Sequence, residues 1–277
     1  MKSMQRRVFH FMSELHFAVA STFSPRFASV IAEADFIAKK FGARLSVLHA
    51  GERSDEKLTK FHEAFEGLGR EEVDVYWCEG ETPARALVEA ASSEYFDLLI
   101  VGTIRQPSET RHFTSEIVRE LLENAPCDLL LLPDPKTAFS LEQHLCLLLD
   151  AHEPRWEAAR AALIALKPAH LSVLAAENPF VQAREAALGM TSEIDPIEGA
   201  CAGLSDLFSE VDLRRVHSNT GYALCDIVEN AAPDFILVQT EWRDGRRFLP
   251  PHLDWLRQVI PARLLLVGRR QPSQSLH

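Results

Sequence analysis

Four segments of the chain occur twice, in the same order. Gly42-Ala43-Arg44-Leu45-Ser46-Val47-Leu48-His49-Ala50 answers to Pro168-Ala169-His170-Leu171-Ser172-Val173-Leu174-Ala175-Ala176, and upstream Ser24-Pro25-Arg26-Phe27 answers to Glu153-Pro154-Arg155-Trp156. Further on, Asp97-Leu98-Leu99-Ile100-Val101-Gly102-Thr103 matches Asp234-Phe235-Ile236-Leu237-Val238-Gln239-Thr240, and Pro126-Cys127-Asp128-Leu129-Leu130-Leu131-Leu132 matches Pro261-Ala262-Arg263-Leu264-Leu265-Leu266-Val267. The offsets run from 126 to 137 residues, the signature of a tandem duplication with small insertions. Two units follow, residues 1–137 and 138–277, each of ordinary domain size. The join is short, near Pro133-Asp134-Pro135-Lys136-Thr137, where two prolines stop the preceding apolar run.

Each unit reads as five strands alternating with four helices. In the first, short continuous apolar runs lie near 16–20, 44–49, 73–78, 97–101 and 128–132. Continuous rather than alternating apolar character is what a parallel sheet covered on both faces requires, because neither side of such a strand meets water. Between the runs, Phe27, Val30, Ala34 and Ile37 repeat at helical spacing, as do Ile117, Val118, Leu121 and Leu122. The second unit repeats this with Trp156, Ala159 and Leu163, and with Leu253, Leu256 and Ile260. The fold class expected is α/β, two tandem doubly wound five-stranded parallel sheets. Residues 177–195 read as a longer, looser connection than their counterpart.

Composition agrees and narrows the function. Hydrophobic residues make up 47% and charged residues 25% of the chain, enough apolar material for two cores. The formal charge of -11, with acidic residues in excess on both sides of residue 137, offers no footprint for nucleic acid or an anionic membrane. No apolar run approaches the roughly 20 residues of a bilayer span, and Arg6 and Arg7 precede only a short patch interrupted by His10, so a signal peptide is not expected. Cys78, Cys127, Cys146, Cys201 and Cys225 are odd in number and hold no CxxC pair, which points to thiols in a reducing compartment rather than a disulfide frame or zinc site. The expected location is the cytoplasm.

Three ordered segments carry a family resemblance: Glu79-Gly80-Glu81-Thr82-Pro83-Ala84-Arg85-Ala86-Leu87, then Asp97 to Thr103, then Asn124-Ala125-Pro126-Cys127-Asp128-Leu129-Leu130-Leu131. Their order and separations resemble the universal stress protein family, over nearly the whole chain and twice. The resemblance implies a ligand cleft at the carboxyl ends of the strands, where strand order reverses. Members that bind ATP place an acidic residue at the end of the first strand, and wrap the phosphates in a loop after the fourth. That loop follows the pattern Gly, two residues, Gly, nine residues, Gly, then Ser or Thr. It also implies pairing of units through their last strands, here within one chain, with a further homodimer compatible with that pairing.

Carried onto this sequence, the nucleotide pattern is eroded. In the first unit the acidic position falls on Ser21, and the loop keeps Gly102 but continues with Arg105, Ser115 and Glu116. A carboxylate there repels the phosphates it should receive. In the second unit Asp150 stands at the end of the first strand, yet the loop positions are Gln239, Trp242, Pro250 and Pro251. Proline lacks an N–H donor, and tryptophan fills space that glycine leaves open.

Two loop clusters remain as ligand candidates. Arg243, Arg246 and Arg247 with Asp150 and His152 form a guanidinium-based anion site or else a solvated loop; Arg105, Arg111 and His112 are the weaker counterpart. Asp150 alone reads equally as a strand-end carboxylate capping the following turn. His62-Glu63-Ala64-Phe65-Glu66 lacks the second histidine of a zinc-protease helix and reads as a surface helix face. No nucleophile elbow or P-loop is present, and no catalytic residues or metal ligands stand out. The leading expectation is a tandem universal stress protein acting as a stress-response binding or scaffold protein, not an enzyme, with no cofactor. The rivals are an ATP or adenine-nucleotide sensor, or weak ATPase, using the second cleft, and a binder of another, apolar ligand. Protein partners are not specified by the sequence.

Overall fold

The computed structural model describes residues 14–70, 72–103, 114–136, 143–189, 195–217 and 222–269. The first half of the chain gives β1 (His16–Ala20), α1 (Phe27–Phe41), β2 (Arg44–Ala50), α2 (Asp55–Glu66), β3 (Val75–Cys78), α3 (Pro83–Ser93), β4 (Leu98–Gly102), α4 (Glu116–Asn124) and β5 (Asp128–Leu132). The second gives β6 (His144–Asp150), α5 (Arg160–Leu166), β7 (His170–Glu177), α6 (Pro179–Ala187), α7 (Pro196–Ser205), β8 (Val211–His217), α8 (Tyr222–Ala231), β9 (Phe235–Gln239), β10 (Glu241–Arg243), β11 (Arg246–Phe248) and β12 (Arg263–Val267). Short 3-10 segments at Glu157–Ala159 and Pro251–Arg257 complete the described elements. No helix among the described residues is long and apolar enough to cross a membrane.

Helix starts follow local chemistry. Ser54, Thr82 and Ser115 each stand one residue before a helix, their hydroxyls accepting the backbone N–H of Lys57, Arg85 and Val118. Pro83 opens α3, where its missing N–H costs nothing. His62, Glu63 and Glu66 lie exposed on α2 while Phe61 and Phe65 turn inward, so this segment is a surface helix face.

Where the sequence reading expects two five-stranded sheets, ten strands form one, in the order β3-β2-β1-β4-β5-β12-β9-β6-β7-β8. Every neighbouring pair is parallel except β5 with β12, which run antiparallel with Leu131 opposite Leu264, Leu130 opposite Leu265 and Leu129 opposite Leu266. Both strands are leucine-rich on both faces, and pairing them removes two apolar edges. Successive residues serve opposite faces: Leu98 and Ile100 join the core under α1, α2, α5 and α7, whereas Leu99 and Val101 join the core under α3, α4 and α8. That is the physical content of the continuous apolar runs.

The seam between the halves is tied by buried polar groups. Glu33 of α1 is fully buried; its carboxylate accepts from Arg263 Nε, from Arg263 Nη2 at 3.3 Å and from the Lys136 backbone N–H at 2.8 Å. At the other end of β12, the Gly268 N–H donates to Asp128 Oδ1 at 2.9 Å. Arg247 is also fully buried and donates to Thr240 Oγ1 (2.8 Å), Gly268 O (3.1 Å), Ala125 O (3.0 Å) and Cys127 O. The two halves further repeat one polar motif at the amino ends of their strands. The His16 N–H donates to Asp97 Oδ2 at 2.7 Å while its Nε2 lies 2.8 Å from Ser46 Oγ, and His144 does the same with Asp234 (3.0 Å) and Ser172 (2.8 Å).

Candidate functional site

The cleft of the second half lies at the carboxyl ends of β6 and β9. These strands are neighbours, and their continuations leave in opposite directions across the sheet, to β7 and to β12. Such a reversal leaves a crevice that loops cannot fill. The cavity measures about 310 Å³, near the lower end of the range that holds small organic ligands. Leu148, Leu149, Leu253, Phe248 and Pro250 supply its apolar lining, and Asp150, Glu153, Arg155, Gln239, Glu241 and Arg243 its polar groups.

The loop after β9 is a β-hairpin, a feature the sequence reading missed. Arg243 pairs with Arg246 across a two-residue turn of Asp244 (φ 51°) and Gly245 (φ 79°). Both central residues are in the left-handed region, as a type I′ turn requires, so Asp-Gly was the signal available. Gln239, at the first glycine position of the phosphate pattern, turns its Oε1 to the Ala158 N–H at 2.9 Å. The Trp156 N–H is taken by Glu157 Oε2 at 3.1 Å. Donors at the start of the segment after β6 are thus satisfied from within the protein, and Pro250 offers none.

The charges of the cavity are also matched internally. Glu241 accepts from Arg155 and, at 3.0 Å, from Arg243; Arg155 donates to Glu153 as well. The Arg243 guanidinium lies 3.8 Å from the Phe248 ring centroid, stacked on it. Three carboxylates therefore face two guanidiniums, and both guanidiniums are held by glutamates. Asp150 Oδ1 accepts the His152 N–H at 2.9 Å, closing a turn at the end of β6, while Oδ2 lies 3.7 Å from His252 Nε2. His252, which sequence reasoning did not single out, has a side chain only 8% exposed and an Nε2 with no hydrogen-bond partner among the described residues. Burial pulls its pKa down, opposed by Asp150 and reinforced by His152.

Arg247 is not a cleft residue: its side chain turns through the sheet seam to carbonyls of both halves, and burial pushes its pKa down to about 10. Trp242 does not fill the vacated glycine space either, because its indole N–H reaches Gly268 O at 2.8 Å, beneath the Arg247 guanidinium. Arg246 is exposed on the hairpin and does not line the cavity. His152 contributes its backbone N–H to the Asp150 turn. Of the expected second-half set, the structure brings Asp150 and Arg243 together in one cavity.

The corresponding space in the first half is almost closed, with a volume of about 20 Å³ lined by Ala20, Ser21, Thr22, Arg26, Gly102 and Thr103 among others. Arg26 crosses it to donate to Pro133 O at 2.8 Å and to Asp134 at 3.3 Å. Beside it, Phe23 packs 4.8 Å from Phe61 and 5.4 Å from His49, ring centroid to ring centroid. Gly102 has its own packing reason: a Cβ there would stand 2.5 Å from Val30 Cγ2, so the glycine admits α1 to β4. Ser115 is the cap of α4 and does not line this space. Arg105, Arg111 and His112 lie outside the described residues. No group of three or more His, Cys, Asp or Glu among the described residues could hold a metal ion.

No family model matches the sequence, and no curated protein matches it. Solved structures do match in shape. A protein described as a universal stress protein from Pseudomonas aeruginosa UCBPP-PA14 superposes with a TM-score of 0.67 at 14% identity, covering 93% of this chain and 94% of that one. A universal stress protein from Archaeoglobus fulgidus DSM 4304 gives 0.62 at 14% identity over 94% and 100%. The cytoplasmic domain of a prokaryotic cation chloride cotransporter gives 0.52 at 13% identity over 94% and 98%. The chain shares the fold of universal stress protein-type structures over 93% of its length.

Proposed function

We propose that this chain is a tandem of two universal stress protein-type units that serves in the cytoplasm as a stress-response binding or scaffold protein, and not as an enzyme. The fold supports the family reading, and the repeated His–Ser–Asp motif at the strand bases supports the duplication, since it is built from matching positions of the two repeats. One observation carries the loss of nucleotide function. Where a phosphate loop presents backbone N–H groups, the second half presents the Gln239 amide, the Glu241 carboxylate and Pro250. An incoming phosphate meets the Glu241 carboxylate in place of a row of backbone N–H groups, and both cleft guanidiniums are already paired. In the first half the described residues enclose only about 20 Å³.

The test is calorimetric titration with ATP, beside mass spectrometry of small molecules released on denaturation. Scaffold function predicts no saturable heat and no stoichiometric nucleotide. Saturable ATP binding that weakens in Asp150→Ala or Arg243→Ala would overturn the reading in favour of a nucleotide sensor. A second reading, a small-molecule binder without phosphate, is favoured by the contrast between cavities of about 310 and 20 Å³.

A further inference from the structure

We propose that two copies of the chain associate through β8, whose free edge pairs antiparallel with the same strand of the second copy about Leu213 and joins the two sheets into one. The inference concerns a surface and is independent of what either cleft binds.

The order of the sheet leaves two edges, β3 and β8. An edge strand presents unpaired N–H and C=O groups, and proteins guard such edges by shortening or covering them. β3 is four residues long, with Val75 and Trp77 packed against the core beside it. Among the described residues β8 is neither short nor covered. It runs for seven residues, pairs with β7 alone, and exposes four in succession, Asp212, Leu213, Arg214 and Arg215. Because successive side chains point to opposite faces, that run leaves both faces of the strand open. At its centre Leu213 is 36% exposed, an apolar side chain between charged ones.

Charge selects the partner and the register. A second copy related by a two-fold axis through the sheet keeps each face on its own side, so residues pair symmetrically about one central residue. With Asp212 at the centre that carboxylate meets its own copy; with Arg214 or Arg215 at the centre an arginine does, while Asp212 faces no cation. With Leu213 at the centre the pairs are Leu213 with Leu213, Val211 with Arg215, and Asp212 with Arg214 twice over. Both ion pairs then fall on one face and the leucines on the other. Asp212 and Arg214 form no ion pair or hydrogen bond with another described residue, so both are available to a second copy. Arg215 is neutralised within its own chain by Glu177, at 2.6 Å, and by Asp195, so it adds no repulsion opposite Val211. Only a second copy supplies this complement in reverse order. A single strand pair buries less surface than a permanent interface, so the dimer is reversible, and its exposed ion pairs make it sensitive to salt.

The test follows the full chain by sedimentation velocity and hydrogen–deuterium exchange over a concentration series. A reversible dimer is expected, weakened by about 0.5 M NaCl, with the amides of residues 211–215 exchanging more slowly as it forms. Asp212→Arg and Arg214→Asp should each weaken self-association about tenfold or more, since each turns two attractive pairs into repulsive ones. An equimolar mixture of these two variants should associate again, because across a mixed pair every arginine meets an aspartate. The double swap Asp212→Arg/Arg214→Asp should dimerise like the wild type, with circular dichroism confirming that each variant is folded. A monomer at every concentration overturns the proposal. So does a dimer that ignores the single substitutions, or one whose formation leaves exchange at 211–215 unchanged, since another surface then carries it. Single variants that stay apart when mixed overturn the register about Leu213.

Discussion

Replacing Arg263 by methionine should destabilise the protein by about 4 kcal/mol at neutral pH, although the residue is far from either cleft. The magnitude comes from what is left behind. Glu33 is fully buried, and without Arg263 its carboxylate keeps only the Lys136 N–H at 2.8 Å. Breaking one side of a buried pair costs about 3–5 kcal/mol, because the remaining ion has lost water and its compensating charge. Methionine replaces much of the arginine stem, so cavity formation adds little, while the contact of the guanidinium with Phe235 at 5.6 Å is lost as well.

The assay is urea unfolding followed by tryptophan fluorescence, with Glu33→Met/Arg263→Met as the companion. For a chain of this size, a loss of about 4 kcal/mol moves the midpoint by more than about 1 M. The double variant should recover most of the loss, since removing both charges also removes both desolvation costs. Acid supplies a second readout. Burial raises the Glu33 pKa above 4.5, with Arg263 opposing, and deleting Arg263 raises it further. A carboxyl whose folded pKa is raised contributes stability that is full below its unfolded value and is lost as pH rises through the folded value. The gap between wild type and Arg263→Met must therefore narrow on going from pH 7 toward pH 4.5. A cost under about 1 kcal/mol, a gap that widens in acid, or a double variant no better than the single would each refute the seam as described.

Two further outcomes test the packing. Gly102→Ala should cost about 1–3 kcal/mol by overpacking against Val30, and Val30→Ala should rescue it in the double variant, as thermal unfolding would show. Burial pushes the thiols of Cys78 up to about 11 and of Cys127 and Cys146 up to about 12, and Cys225 is buried. Only the half-buried Cys201 should therefore react with Ellman's reagent in minutes at pH 8; a count of two or more thiols in the native protein would contradict this.

The first-half strands stood in the sequence where the structure has them, because an apolar run between turn residues is a local signal. The run near 73–78 shortens to Val75–Cys78, since Asp74 interrupts it. The stripe Val118, Leu121 and Leu122 is buried as expected, but Ile117 is 42% exposed and belongs to the other face of α4. Leu253, Leu256 and Ile260 are buried too, although the segment carrying the first two is a 3-10 run rather than an α-helix. The seam was not legible. Glu33 and Arg263 lie 230 residues apart, and a single charged residue at a core-facing position looks like any solvated one until its partner is known. Arg247 misled for the same reason, as it sits among loop arginines that do face water.

The cleft shows why a motif reading separates from a cavity reading. A phosphate loop needs glycine for two different things, room for the backbone to approach and N–H groups left free to donate. The first half carries Gly102, but α1 fills the room: Val30 stands where a side chain would be, and Arg26 and the Phe23 cluster border the small remainder. The second half carries Gln239, Trp242 and two prolines at the corresponding positions, and its loop pairs with itself as a hairpin beside an open crevice. Glycine without space cannot bring the backbone close to a ligand, and space without free donors does not favour phosphate. The half that looks more intact in sequence is therefore the one with the smaller cavity, and a search for ligand should begin at the cleft beside Asp150 rather than at Gly102.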